Sequence, residues 1–132
     1  MMEVAEECYR RPFEKRKALA WGERAMLDPK MGFFRAPEAW GCAALGELFY
    51  EQRPKGVMLF LAARKGRPWQ ALAALRAMID WAESQGCGSF DFGEDTGMRI
   101  DVLAKYLGAS LNRPTYRVQL VSPQRDFWNA AA

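Results

Sequence analysis

The sequence predicts an α/β fold: one domain with a mixed central sheet flanked by helices and preceded by N-terminal helices. Three observations predict it. "VMLFLAA" (residues 57–63) is apolar at every position, as in a central strand covered on both faces. It follows "EQRPKG", where Pro54 and Gly56 mark a turn between two apolar stretches, so the two stretches form a hairpin. It then runs through a basic turn into an amphipathic helix and a further strand, a strand–helix–strand unit that sets a parallel pair beside the hairpin.

The elements follow in order. Residues from about 3 to 25 read as helical, with Leu19, Trp21, Met26 and Leu27 near helical spacing. Pro12 interrupts them, giving either two short helices or one that is kinked. "LDPKMGFFRAPEAWG", with Pro29, Gly32, Pro37 and Gly41, is expected to be mostly loop. The hairpin strands are expected near 43–51 and 57–63. "PWQALAALRAMIDWAESQG" is a helix: Pro68 suits a first turn, Leu72, Leu75, Ile79 and Ala82 share a face, and Gly86 terminates it. "CGSFDFG" alternates Phe90 and Phe92 with Ser89 and Asp91, as a short strand does. "TGMRIDVLAKYLGAS" is a second helix, capped by Asp95 or Thr96 and closed by Gly108, with Ile100, Leu103 and Leu107 as its stripe. "TYRVQLV" is a last strand, and the tail "SPQRDFWNAAA" has no assignment.

Composition bounds the function. The 132 residues suffice for one modest core, and 50% hydrophobic against 27% charged residues is a globular rather than a disordered balance. No apolar run is long enough for a membrane helix and the N-terminus lacks a signal-peptide core, so a cytoplasmic protein is expected. Histidine is absent, which excludes Cys/His zinc sites and Ser-His-Asp triads. No metal site is expected. Cys8, Cys42 and Cys87 are dispersed and odd in number, which argues against a disulfide scaffold; Cys42 and Cys87 read as packing residues. The net charge of +3 is unevenly spread. Arg53, Lys55, Arg64, Lys65, Arg67 and Arg76 occur with no acid between residues 52 and 79. Between 80 and 101 six acids face Arg99 alone. Such a basic stretch either attracts a phosphate-bearing ligand or forms a solvated face.

The motifs "LAARKGRPWQAL", "CGSFDF", "VLAKYLGAS" and "TYRVQL", in this order, resemble the GCN5-related N-acetyltransferase (GNAT) superfamily over about residues 41–121. The resemblance implies a single GNAT-like domain over 1–132: helices and loop to 40, sheet and two main helices from 41 to 121, and a tail from 122. It also implies that the start of the first main helix receives the pyrophosphate of acetyl-CoA, with Arg64, Lys65, Gly66, Arg67, Trp69 and Gln70 around it. Helix N-termini suit anions because their N–H groups lack partners. The family's turn runs Arg/Gln-x-x-Gly-x-Gly/Ala. With Arg64 in its first position, Arg67 and Trp69 stand where the two small residues belong. A register using Gly66 as the cradle glycine keeps one small residue but not the spacing. Arg67 then either offers a guanidinium to phosphate while Trp69 stacks on adenine, or is simply exposed while Trp69 fills the groove; the second is the favoured expectation. Aligning "LGA" (107–109) on the family's Leu-Gly-Phe puts Ala104 where many members carry a tyrosine general acid, Gly97 in place of an asparagine and Ala109 in place of the phenylalanine. Tyr106 lies on another side of that helix.

Without histidine, a base for an acceptor amine has to be a carboxylate or a water held by one. Glu47 on the first hairpin strand and Asp91 on the next strand are the candidates, each equally readable as a solvent-facing residue. The losses at 67, 69 and 104 point to a non-catalytic structural or interaction module with a degenerate acyl-CoA site, binding another protein, with Phe127 and Trp128 of the tail as a docking element. The chain is similar in length and motif decay to short GNAT-like virion-associated proteins of short-tailed phages, which adds the virion as a location. The alternative is an active acetyl-CoA-dependent N-acyltransferase. A nucleic-acid binder is the weakest reading, because the basic stretch lacks interleaved aromatics.

Overall fold

A computed structural model describes residues 2–9, 14–93, 100–111, 118 and 120. Two helices come first, α1 (Met2–Tyr9) and α2 (Lys15–Met26). The Glu14 carboxylate caps α2, accepting from the N–H groups of Arg16 (3.3 Å) and Lys17 (2.9 Å). Pro12 lies outside the described residues.

The expected loop is instead a hairpin of β1 (Met31–Ala36) and β2 (Ala39–Gly46). Ala36 pairs with Ala39, which leaves Pro37 and Glu38 as a two-residue turn. Pro37 breaks no strand because it sits between two, where its fixed φ suits the turn. β3 (Lys55–Ala63) pairs antiparallel with β2, as the second hairpin requires. Its partner strand, however, spans 39–46 rather than 43–51, so Glu47 lies just beyond a strand and not on one.

The α-helix α3 (Pro68–Ser84) crosses from β3 to β4 (Ser89–Asp91), which pairs parallel with the first three residues of β3. The sheet order is β1-β2-β3-β4, a mixed sheet. The helix α4 (Ile100–Leu107) follows. Gly86 and Gly108, at φ +83° and +67°, end α3 and α4 as the sequence predicts. In each case the glycine N–H and the next N–H return to carbonyls of the last turn (Glu83 and Ala82; Lys105 and Ala104), a Schellman closure. The predicted start of this helix, with its cap at Asp95 or Thr96, and most of the predicted last strand fall outside the described residues; Val118 and Leu120 are exposed.

One face of the sheet packs on α3. Ala71, Leu72, Ala74, Leu75 and Met78 of the helix are buried against Ala36, Ala39, Ala43, Met58, Leu61 and Ala63. Ile100 and Leu103 of α4 complete this core. Each fully buried Leu or Met contributes about 1.5–3 kcal/mol. On the other face Val4 and Ala5 of α1 cover Ala62 and Trp40, and Trp21 of α2 meets the rings of Phe33 and Phe60. β3 is thus central, but not buried throughout. Cys42 faces Phe60 while Ala43 faces Met58, so Leu59 is an extra residue, a bulge, and is 44% exposed. The bulge reverses the alternation of β3, sending both Met58 and Leu61 toward α3.

Candidate functional site

The junction between β3 and α3 is built from its backbone outward. The Arg64 N–H donates to the Glu38 carbonyl at 2.9 Å, extending the β2–β3 ladder one step past Ala63. Arg64 to Arg67 then form a turn closed by the Arg67 N–H on the Arg64 carbonyl at 3.1 Å. Its third residue is Gly66 at φ +79°, the conformation such a turn asks of glycine. A Cβ on Gly66 would meet nothing within 4 Å, so glycine serves the turn's dihedral angle there.

α3 starts with Arg67 in the capping position and Pro68 in the first turn, and no side chain caps it. Gln70 and Ala71 donate back to the Arg67 carbonyl, at 3.1 and 3.4 Å. An uncapped helix start keeps its partial positive charge open to an anion. Lys65 and Arg67 are exposed and add charge, with no ion pair to either among the described residues. Gln70 is half-buried, and its Oε1 is buried without a hydrogen-bond donor among the described residues.

Two side chains are placed otherwise than expected. The Arg64 guanidinium is ion-paired with the Glu38 carboxylate through Nε and Oε2, so it is not poised alone over the helix start. Trp69 does not fill a groove. It is 61% exposed and meets the equally exposed Tyr106 of α4, ring centroids 5.2 Å apart and planes at 68°. A side chain in the first turn of α3 has room to point outward, whereas the groove beneath is already filled by Leu72 and Leu75.

The carboxylate candidates are not at this junction. Asp91 pairs with Lys55 (Oδ2 to Nζ 3.1 Å), both side chains about one-third exposed. Glu47 is exposed and follows Gly46, whose cross-strand partner is also Lys55. Both acids therefore flank the beginning of β3, whereas Arg64–Gln70 follow its end. Nine residues separate the two ends, roughly 30 Å at strand rise. Only an extended ligand spans both. Of the two described thiols, burial pushes Cys42 up to about 11 and raises Cys87. Among the described residues no group of three or more acids and cysteines could hold a metal ion.

No family model matches the chain, and no curated protein matches it by sequence. Solved structures do match. A GNAT family acetyltransferase from Staphylococcus aureus superposes with a TM-score of 0.69 at 8% identity, over 89% of this chain and 85% of that one. Glucosamine-6-phosphate N-acetyltransferase from Arabidopsis thaliana gives 0.72 at 10% identity, over 92% and 89%. An aminoglycoside 6′-N-acetyltransferase from Acinetobacter haemolyticus gives 0.69 at 15%, over 92% and 90%.

The chain has a GNAT-like fold. At these identities the likeness concerns the backbone alone, so the GNAT-like chain's chemistry has to be judged on its own side chains. The start of α3 is flanked by exposed Lys65 and Arg67, position 104 carries a methyl group, and Asp91 is paired with Lys55. Sequence reasoning missed Glu38, Lys55 and Tyr106. Glu38 and Tyr106 reach the junction only through the hairpin turn and the placement of α4, and adjacent residues in sequence signal neither. Among the described residues no helix is long and apolar enough to cross a membrane.

Proposed function

We propose that this protein is a non-catalytic GNAT-fold module, with a degenerate acyl-CoA site, that acts through contacts with other macromolecules. The observation that carries the reading is the Trp69–Tyr106 ring pair, which ties the first turn of α3 to the last turn of α4 at the place the resemblance reserves for acetyl-CoA. Both small residues of the family turn are replaced there, by Arg67 and Trp69, so backbone cannot approach a phosphate without displacing side chains. Its motif decay, similar to that of virion-associated GNAT-like proteins of short-tailed phages, makes a virion assembly one setting for such a module.

The alternative, an acetyl-CoA-dependent N-acyltransferase, is favoured by one observation: the start of α3 is uncapped and flanked by Lys65 and Arg67. In that reading Lys65, Gly66, Arg67 and Gln70 hold the pyrophosphate, and Glu47 rather than the ion-paired Asp91 serves as base. Calorimetry with acetyl-CoA, together with an acetylation assay over a panel of amines, separates the two. The module reading expects no turnover and no heat in the micromolar range usual for substrates. Micromolar binding with acetyl transfer overturns it.

A further inference from the structure

Two exposed aromatic pairs stand at opposite ends of β3. At its start, in the loop between β2 and β3, Phe49 is fully exposed and Tyr50 is 57% exposed, and their rings meet edge to face at 5.2 Å. Two exposed carboxylates, Glu47 and Glu51, flank this pair in the chain. Arg53, two residues after Glu51, is exposed and lays its stem beside Gly88, and Lys55 is taken by Asp91. Beyond the other end of β3, Trp69 and Tyr106 form the second pair, also at 5.2 Å. Exposed cations accompany it: Lys65 and Arg67 before Trp69, and Lys105 beside Tyr106. Glu38, at this end of β3, is already neutralised by Arg64.

Aromatic side chains held in the open, each already propped by a neighbouring ring, are the type of residue that anchors protein interfaces. Here one pair is acidic at its rim and the other basic, so their surfaces attract. Roughly 30 Å of strand lies between them, which prevents one copy from closing the contact on itself. We infer that the occupant of the basic Trp69–Tyr106 surface is the acidic Phe49–Tyr50 loop of a second copy of this chain. Because the two surfaces differ, the contact is head to tail, and repetition yields a ring or a filament rather than a two-fold dimer. The inference deepens the module reading by naming the partner. Its readout is assembly, whereas that reading is read by acetyl-CoA heat and turnover, so either fails without the other.

The test is sedimentation velocity of the full chain over a concentration series at low and high salt. Self-association that weakens as salt rises is expected, since exposed charges are screened. Phe49→Ala with Tyr50→Ala, and separately Trp69→Ala, should each weaken it by about tenfold or more, as loss of interface anchors does. The decisive sample mixes these two variants. Each retains one intact surface, so a head-to-tail contact gives a capped one-to-one pair that neither variant forms alone. Circular dichroism spectra of the variants should match the parent and their melts should stay cooperative and within several degrees of it, because all three side chains are exposed; a variant that fails to fold is replaced by Lys65→Glu with Arg67→Glu, which should abolish assembly equally. A monodisperse monomer at all concentrations overturns the inference, as does a two-fold dimer indifferent to these substitutions. A monomer that instead retains a labelled oligothymidylate through the basic surface also overturns it, in favour of single-stranded nucleic acid as occupant.

Discussion

Arg64 is joined to Glu38 twice, by its N–H to the Glu38 carbonyl and by its guanidinium to the Glu38 carboxylate. The backbone bond continues the β2–β3 ladder, and the ion pair fastens the β1–β2 turn to the start of the basic turn. A residue suited by sequence to greet a phosphate thus has a structural partner. The ion pair itself is weak, since both side chains are well exposed to water.

Glu38→Gln keeps the backbone bond and removes the charge. It should cost no more than about 1 kcal/mol, the upper range for exposed pairs. Urea unfolding followed by circular dichroism measures this. A loss well above that range would show that Glu38 holds more of the junction than Arg64 alone.

Trp69→Ala tests the position of the indole. A buried aromatic would cost about 3–5 kcal/mol on truncation. With Trp69 exposed and in contact with Tyr106, the expected loss is about 1 kcal/mol, the range of an edge-to-face pair. Chemical denaturation at a concentration low enough to keep the chain monomeric distinguishes the two values clearly.

Gly41→Ala should be far more harmful than its size suggests. A Cβ at Gly41 would overlap Met78 Cε and approach the Phe60 carbonyl oxygen to 3.1 Å. Met78 Cε is the flexible end of a side chain and has to turn aside within a fully buried site, while the carbonyl belongs to the β3 backbone and has to give slightly. Overpacking of this kind costs about 1–3 kcal/mol. A thermal melt unchanged from the parent would show that α3 can lift from the sheet.

Cys42 should be inert in the folded protein. Its thiol is pushed up to about 11 by burial, so at pH 8 it stays protonated and shielded. Mass-spectrometric mapping after brief alkylation should find Cys42 modified only under denaturing conditions. The linked stability has a definite sign. The unfolded thiol ionises near the ordinary thiol value of 9.0 while the folded one does not, so the unfolded chain sheds protons first. The contribution of Cys42 is intact below pH 9 and is lost as pH rises toward 11. Steeper loss of stability over that window in the parent than in Cys42→Ala is the expected outcome.

Much of the fold was legible because local signals agreed with one another. The apolar run at 57–63, Pro68 at a helix start, and Gly86 and Gly108 at helix ends each has a short-range cause, and each element appears where that cause puts it. The β1–β2 hairpin was not legible, because Pro37 breaks a strand or makes a turn according to what pairs across it. The exposure of Leu59 was hidden for a related reason. A bulge depends on the register of a neighbouring strand, and no periodicity within β3 reveals it.

The sequence by itself determined the order of elements from β3 to α4, the lack of histidine chemistry, and the presence of arginine and tryptophan at 67 and 69. Those are properties of residue type and spacing. Only the tertiary structure decided what the charged and aromatic side chains do. It gave Arg64 to Glu38, Asp91 to Lys55 and Trp69 to Tyr106, and it carried the two carboxylate candidates to the far end of β3 from the helix start. The physical reason is that long side chains settle on partners brought near by strand register and helix placement, and those partners lie far away in the chain.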